Sequence, residues 1–224
     1  MKGANQVLEM AEELVDDAVK CAALCSVILE EMDDLSGYCD NLIEVETVSA
    51  GAVEVLKEAT ENIDEDCSDE QVEKIFDLIL GSIRKISPNG ITDWQGDLLY
   101  LCIPMCRLPR LREKFEDYLH SMQEKDKYIK EEARQILCDI IERFDGKEAL
   151  EAYKRQIAEE EKKTAYKLII DGDFKSFPKL KKMYSAIEWE KVLDDLLNDL
   201  QNNGKKDMYI NILIHEDKKE GILR

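Results

Sequence analysis

Histidine is nearly absent: His120 and His215 are the only two in 224 residues. That leaves little for nucleophile activation by Ser/His/Asp or Cys/His arrangements, and too little for a di-iron bundle, which needs a Glu-x-x-His motif from each of two helices. Glycine (10) and proline (4) are equally scarce. An all-β fold of this length needs more punctuation than that. The glycines are scattered, so neither G-x-x-x-x-G-K-[ST] nor G-x-G-x-x-G occurs and no phosphate loop is expected. No apolar run approaches the ~18 residues of a membrane span, and the N-terminus lacks the basic and apolar regions of a signal peptide. A cytoplasmic chain with no membrane partner is the expectation.

Basic residues are missing from the first half in particular. Residues 1 to 100 hold 24 Asp/Glu against 6 Lys/Arg, a net of −18, whereas residues 101 to 224 hold 26 against 25. Phosphate neutralisation depends on Lys and Arg, so residues 1–100 should be repelled by nucleic acid and by anionic lipid. Only the second half could contact DNA or RNA. Its candidates are Lys175, Lys179, Lys181 and Lys182, around Phe177-Pro178, and the plain alternative is a solvated face.

What is present is helical. The chain is 44 % apolar and 36 % charged, long enough to bury a core without disulfides or metal. Apolar groups from Val7 to Leu29 fall on one stripe and predict a long helix over 5–32, with room for a break, ending near Asp33-Asp34-Leu35-Ser36-Gly37. A second helix is expected over 39–63. Ser68-Asp69-Glu70-Gln71, Thr92-Asp93-Trp94-Gln95 and Ser185-Ala186-Ile187-Glu188 have the capping-box pattern, in which hydroxyl and carboxylate or amide satisfy each other's backbone donors. Helices are expected to begin just after each. Further helices are read over 110–122, 126–144 with Gly146 as C-cap, and 147–170, then a helical hairpin turning at Asp171-Gly172-Asp173-Phe174. The resulting expectation is an all-α superhelix of antiparallel hairpins, TPR/HEAT-like, with about nine to eleven helices. An acidic subdomain over 1–104 would continue into a hairpin subdomain over 105–224.

Few residues invite chemistry. Cys21 with Cys25 and Cys102 with Cys106 each place two sulfurs on one helical face, half of a tetrahedral zinc or copper site. Without a nearby histidine or third cysteine they read as buried small hydrophobes, and the seven cysteines, odd in number and irregularly spaced, as reduced thiols. Asp33, Asp34 and Asp40 lack the ligand alternation and central glycine of a calcium loop and read as solvated caps. No catalytic residue, metal or cofactor is expected. Trp94 and Trp189, just inside helix starts, read as plugs between hairpins, with anchoring of a partner as the alternative.

Several segments, in order, resemble the helical region that follows the zinc finger in bacterial SWIM zinc-finger proteins. They are Asp33-Asp34-Leu35-Ser36-Gly37, Asp93-Trp94-Gln95-Gly96-Asp97-Leu98-Leu99 with Leu111-Arg112-Glu113-Lys114, Phe174 to Tyr184 with Glu188-Trp189, and Ile212-Leu213-Ile214-His215-Glu216. The family's C-x-C…C-x-H signature is absent, so nothing that the finger binds transfers. The resemblance supplies no catalytic residues and implies a helical module without the finger. The expected function is a non-enzymatic interaction or scaffold module for a protein partner, a basic one by charge complementarity. The candidate surface comprises Asp33, Asp34, Asp93, Trp94, Lys179, Lys182 and Trp189. The competing expectation is an accessory protein contacting nucleic acid through its second half.

Overall fold

The computed structural model describes residues 2–38, 42–61, 63, 67–85, 94–122 and 127–217. Among these residues there are eleven α-helices, one 3-10 helix and no strand. The chain forms two compact units, residues 1–147 and 148–224. No helix among the described residues is long and apolar enough to cross a membrane.

The first unit comprises α1 (Lys2–Glu12), α2 (Ala18–Ser36), α3 (Leu42–Thr60), α4 (Asp69–Lys85), α5 (Trp94–Cys102), η1 (Pro104–Arg107), α6 (Pro109–Met122) and α7 (Lys127–Asp145). The stripe expected over 5–32 is interrupted between α1 and α2. There the Asp17 carboxylate accepts the Lys20 backbone N–H at 3.3 Å and caps α2. Helix α2 packs on α3 through small residues: Cys21, Ala22, Cys25 and Ala52 are wholly buried. Buried Ser49 returns its hydroxyl to the Val45 carbonyl at 2.9 Å, so it brings no unsatisfied donor into the interface. Gly51 serves the same closeness, since a Cβ there would press on the Leu8 side chain of α1.

Helix α4 begins where its capping box places it. Ser68 N–H donates to Gln71 Oε1 at 3.0 Å and Gln71 N–H to Ser68 Oγ at 3.4 Å. The box at Thr92 and Asp93 lies outside the described residues. Helix α4 buries Val72, Ile75, Phe76, Ile79, Leu80 and Ile83, and Phe76 meets Phe115 of α6 edge-on at 6.0 Å. Beside that stripe, Asp69 and Asp77 of α4 pair with Arg107 and Lys114, and Glu73 with Arg110 at 2.7 Å. Three acids spaced i, i+4 are thus met by three bases from the following segment. This explains why the unit extends past residue 104, where the composition changes: the change of charge balance falls inside the unit, and the bases beyond it fold back on α4. Unit 1 as a whole still holds 34 Asp/Glu against 16 Lys/Arg.

In the second unit, α8 (Lys147–Asp171) begins at the boundary and is followed by α9 (Ser176–Lys182), α10 (Ala186–Asn202) and α11 (Lys206–His215). Gly172 and Gly204, at φ +112° and +69°, turn the chain after α8 and α10. Only glycine takes that left-handed conformation without strain, and Lys205 N–H closes the second turn on the Leu200 carbonyl at 2.9 Å. The Ser185/Glu188 box is formed in both directions at the head of α10. The core gathers Ile169, Phe177, Leu180, Trp189, Leu193, Leu196, Leu200, Ile212 and Leu213.

Candidate functional site

Part of the acid excess of unit 1 lines two adjoining clefts, with Lys57 among the lining residues. One cleft, of about 740 Å³, is lined by Asp16, Asp17, Glu58, Glu61, Ile63 and Gln71 among others. A second, of about 640 Å³, is lined by Glu12, Glu54, Lys57, Glu58, Glu61, Tyr100 and Pro104 among others. Glu58 and Glu61 belong to both, so the two form one acidic surface at the end of α3. The turn between α1 and α2 brings Asp16 to it, and α5 with η1 supplies an apolar wall. Glu12, Asp16, Glu54, Glu58 and Glu61 are exposed and form no ion pair among the described residues. Only Asp17 is engaged, by Lys20 at 2.8 Å. Tyr100, 42 % exposed, offers its ring beside the carboxylates. Partial burial, then the Asp139 and Glu132 carboxylates, pushes its phenol above the ordinary range, so the ring stays neutral at physiological pH. A surface of unpaired carboxylates beside an aromatic ring suits lysine or arginine side chains.

The candidates chosen from sequence are placed differently. Asp33 and Asp34 lie in the last turn of α2, where the Asp33 carbonyl accepts the Ser36 hydroxyl at 2.6 Å. Neither lines the acidic clefts. Asp93 lies outside the described residues. Trp94 and Trp189 are 7 % and 5 % exposed, which removes both rings from the candidate surface because each is covered by its own core. Lys179 and Lys182 are exposed on α9. Lys181 between them is committed: its Nζ pairs with Glu216 at 2.8 Å and lies 6.0 Å from the Trp189 ring centroid.

Glu216 is a structural hub, its side chain 9 % exposed. It accepts from Lys181, and from Trp189 Nε1 at 3.4 Å. Burial pushes its carboxyl pKa up, but hydrogen bonds from Lys181 and Trp189 and the lysine charge outweigh burial and hold it below the ordinary value. A carboxylate with a depressed folded pKa stabilises above its unfolded value and loses that contribution as pH falls through the folded one. Glu216→Gln is therefore expected to cost about 1–2 kcal/mol at neutral pH. It should also flatten part of the acid-induced loss below about pH 4.5, seen in the tryptophan fluorescence of a pH titration.

Cys102 and Cys106 are set for packing. Burial pushes Cys102 well above the usual thiol value, and burial with Glu116 nearby pushes Cys106 up to about 12. Among the described residues no group of three or more His, Cys, Asp or Glu side chains is arranged to hold a metal ion.

The acidic surface escaped sequence reasoning because it is assembled from distant segments. The available signal was the i, i+4, i+7 spacing of Glu54, Glu58 and Glu61 on the polar side of α3. Comparison of the chain with protein-family models, curated proteins and solved structures finds no match.

Proposed function

We propose that the protein is an interaction module whose first unit docks a lysine- or arginine-rich segment of a protein partner on the acidic surface formed by α1, α3 and α5. The observation that carries this reading is the contrast within unit 1. Arg107, Arg110 and Lys114 neutralise α4, while Glu12, Asp16, Glu54, Glu58 and Glu61 are left without ion pairs among the described residues. Uncompensated charge of one sign is destabilising by self-repulsion, and a complementary partner relieves it. Complementarity of this kind governs encounter rate and partner choice more than affinity. The same charge disfavours nucleic acid at this surface.

The test is binding of a decalysine peptide to the full chain across salt concentrations. Affinity should fall by about tenfold or more between about 50 mM and about 200 mM salt, because exposed charges are screened beyond a Debye length of roughly 10 Å. No binding at low salt, or binding indifferent to salt, overturns the reading.

A further inference from the structure

A groove between α1 and α2 shares no lining residue with the two acidic clefts of unit 1. It has a volume of about 280 Å³, and its walls are apolar: Val27, Ile28, Met32 and Leu35 come from α2, Ala4 and Val7 from α1. The groove is open because α1 brings small residues to it. Gly3 also lines it, and a Cβ at Gly3 would touch nothing from α2 within 4 Å. Ile28 and Met32 are buried, whereas Val27 is 54 % exposed and Leu35 39 %. Val27, Glu31 and Leu35 follow at i, i+4 and i+8 along α2, and Gly3, Val7 and Met10 at i, i+4 and i+7 along α1. Each helix therefore turns one apolar face outward, and on α1 that face ends at Met10, 53 % exposed. Glu31 is the charged residue of the lining, and it forms no ion pair among the described residues. Asp34, also exposed, stands one turn beyond it on α2.

We propose that this groove docks an amphipathic helix of a protein partner, with a large aliphatic side chain seated between α1 and α2 and a lysine or arginine facing Glu31. A helix laid into an apolar groove anchors itself through side chains at i, i+3 and i+4, and excludes water from both walls. The volume suits one or two such anchors better than a small-molecule ligand, whose pockets run from about 300 Å³ upward. Charge selects among the occupants that an apolar groove could take. In a two-fold dimer a second copy would bring its own Glu31 to the same place, and unit 1 holds 34 Asp/Glu against 16 Lys/Arg, so like charges oppose self-association there. The same excess opposes an anionic lipid surface. A basic amphipathic helix answers the apolar walls and the unpaired carboxylate together. The inference is independent of the acidic surface at the end of α3, since the groove needs an apolar anchor and that surface needs charge alone.

The experiment is a titration of the full chain with a blocked peptide of two Leu-Lys-Lys-Leu-Leu-Lys-Lys repeats, followed by amide chemical shifts. Saturable shifts should centre on residues 3–10 and 27–35, with a dissociation constant on the order of tens of micromolar. A peptide of the same composition with its leucines spread around the helix should leave these amides unmoved, and so should decalysine, which has no anchor. The groove's shifts do not depend on whether decalysine binds at the end of α3, so the two readings fail separately. Val27→Ser, at an exposed position, should weaken binding roughly fivefold. Gly3→Leu, which fills the groove, should weaken it at least as much, and Glu31→Lys roughly fivefold. Linear shifts, shifts confined to the acidic clefts, or an equal response of residues 27–35 to the leucine-scattered peptide would overturn the proposal. An unaltered constant in both Val27→Ser and Gly3→Leu, with native circular dichroism, would do the same. So would a dimer of the free chain in sedimentation that Val27→Ser dissociates, because a second copy would then hold the groove.

Discussion

Phe177→Ala is expected to lower the stability of unit 2 by about 3–5 kcal/mol, the range for removing a fully buried aromatic ring. Phe177 is 0 % exposed and touches three other rings. It stacks on Phe174 at 5.7 Å, meets Trp189 edge-on at 5.4 Å, and meets His215 edge-on at 5.3 Å. These rings come from α9 and its preceding turn, from α10 and from the end of α11, so one side chain ties three helices together. Each such pair adds about 0.5–1.5 kcal/mol beyond buried area. Alanine removes the shared partner of all three at once. Phe177→Leu keeps most of the volume and should cost about 1–1.5 kcal/mol. Denaturant unfolding followed by tryptophan emission and by amide exchange in α8 to α11 separates the two variants. Equal, small losses for both would mean that the aromatic cluster does not organise the unit.

A second large effect is expected from reversing charge where α3 ends. Glu54→Lys, Glu58→Lys and Glu61→Lys together change the local charge by six units, while all three side chains are exposed. Glu58 lies in the last turn of α3 and Glu61 just past it, where a lysine faces the negative dipole end, and Glu54 is exposed, so the fold should keep its stability to within about 0.5 kcal/mol. Association with decalysine should nevertheless slow by about a hundredfold at low salt, since steering scales steeply with charge of the docking surface. Stopped-flow rates measure this directly. The wild-type rate and its salt dependence should converge with those of the variant as salt rises. A variant that unfolds would be evident in circular dichroism, and the single change Glu58→Gln then carries the same test at smaller amplitude.

Much of the local structure was legible. Ser68/Gln71 and Ser185/Glu188 announced the starts of α4 and α10 because a capping box is a contact between residues three apart, and both are formed. Gly146 and Gly172 announced helix ends for a similar reason, and both adopt positive φ. The break between α1 and α2 was not placed, because Leu14 and Val15 continue the apolar period across it. Only the cap from Asp17 to Lys20 marks where α2 begins.

The candidate site was legible as a quantity but not as a place. The excess of acid in residues 1–100 is evident from composition. Where it remains uncovered depends on Arg107, Arg110 and Lys114 reaching back to α4, a pairing between residues 37 and 38 apart for which hydrogen bonds are formed. No local pattern encodes that choice. The tryptophans at helix starts, read as core plugs with a partner anchor as the alternative, are plugs: Trp94 and Trp189 are both buried.

The most direct test of a docking surface on unit 1 is zero-length carbodiimide crosslinking of decalysine to the full chain, read by peptide mass mapping. Crosslinks are expected to concentrate on Glu54, Glu58 and Glu61, with Glu12 and Asp16 next. Crosslinks spread evenly over exposed acids such as Asp34, Glu70 and Glu190, or confined to residues 148–224, would contradict a docking surface there.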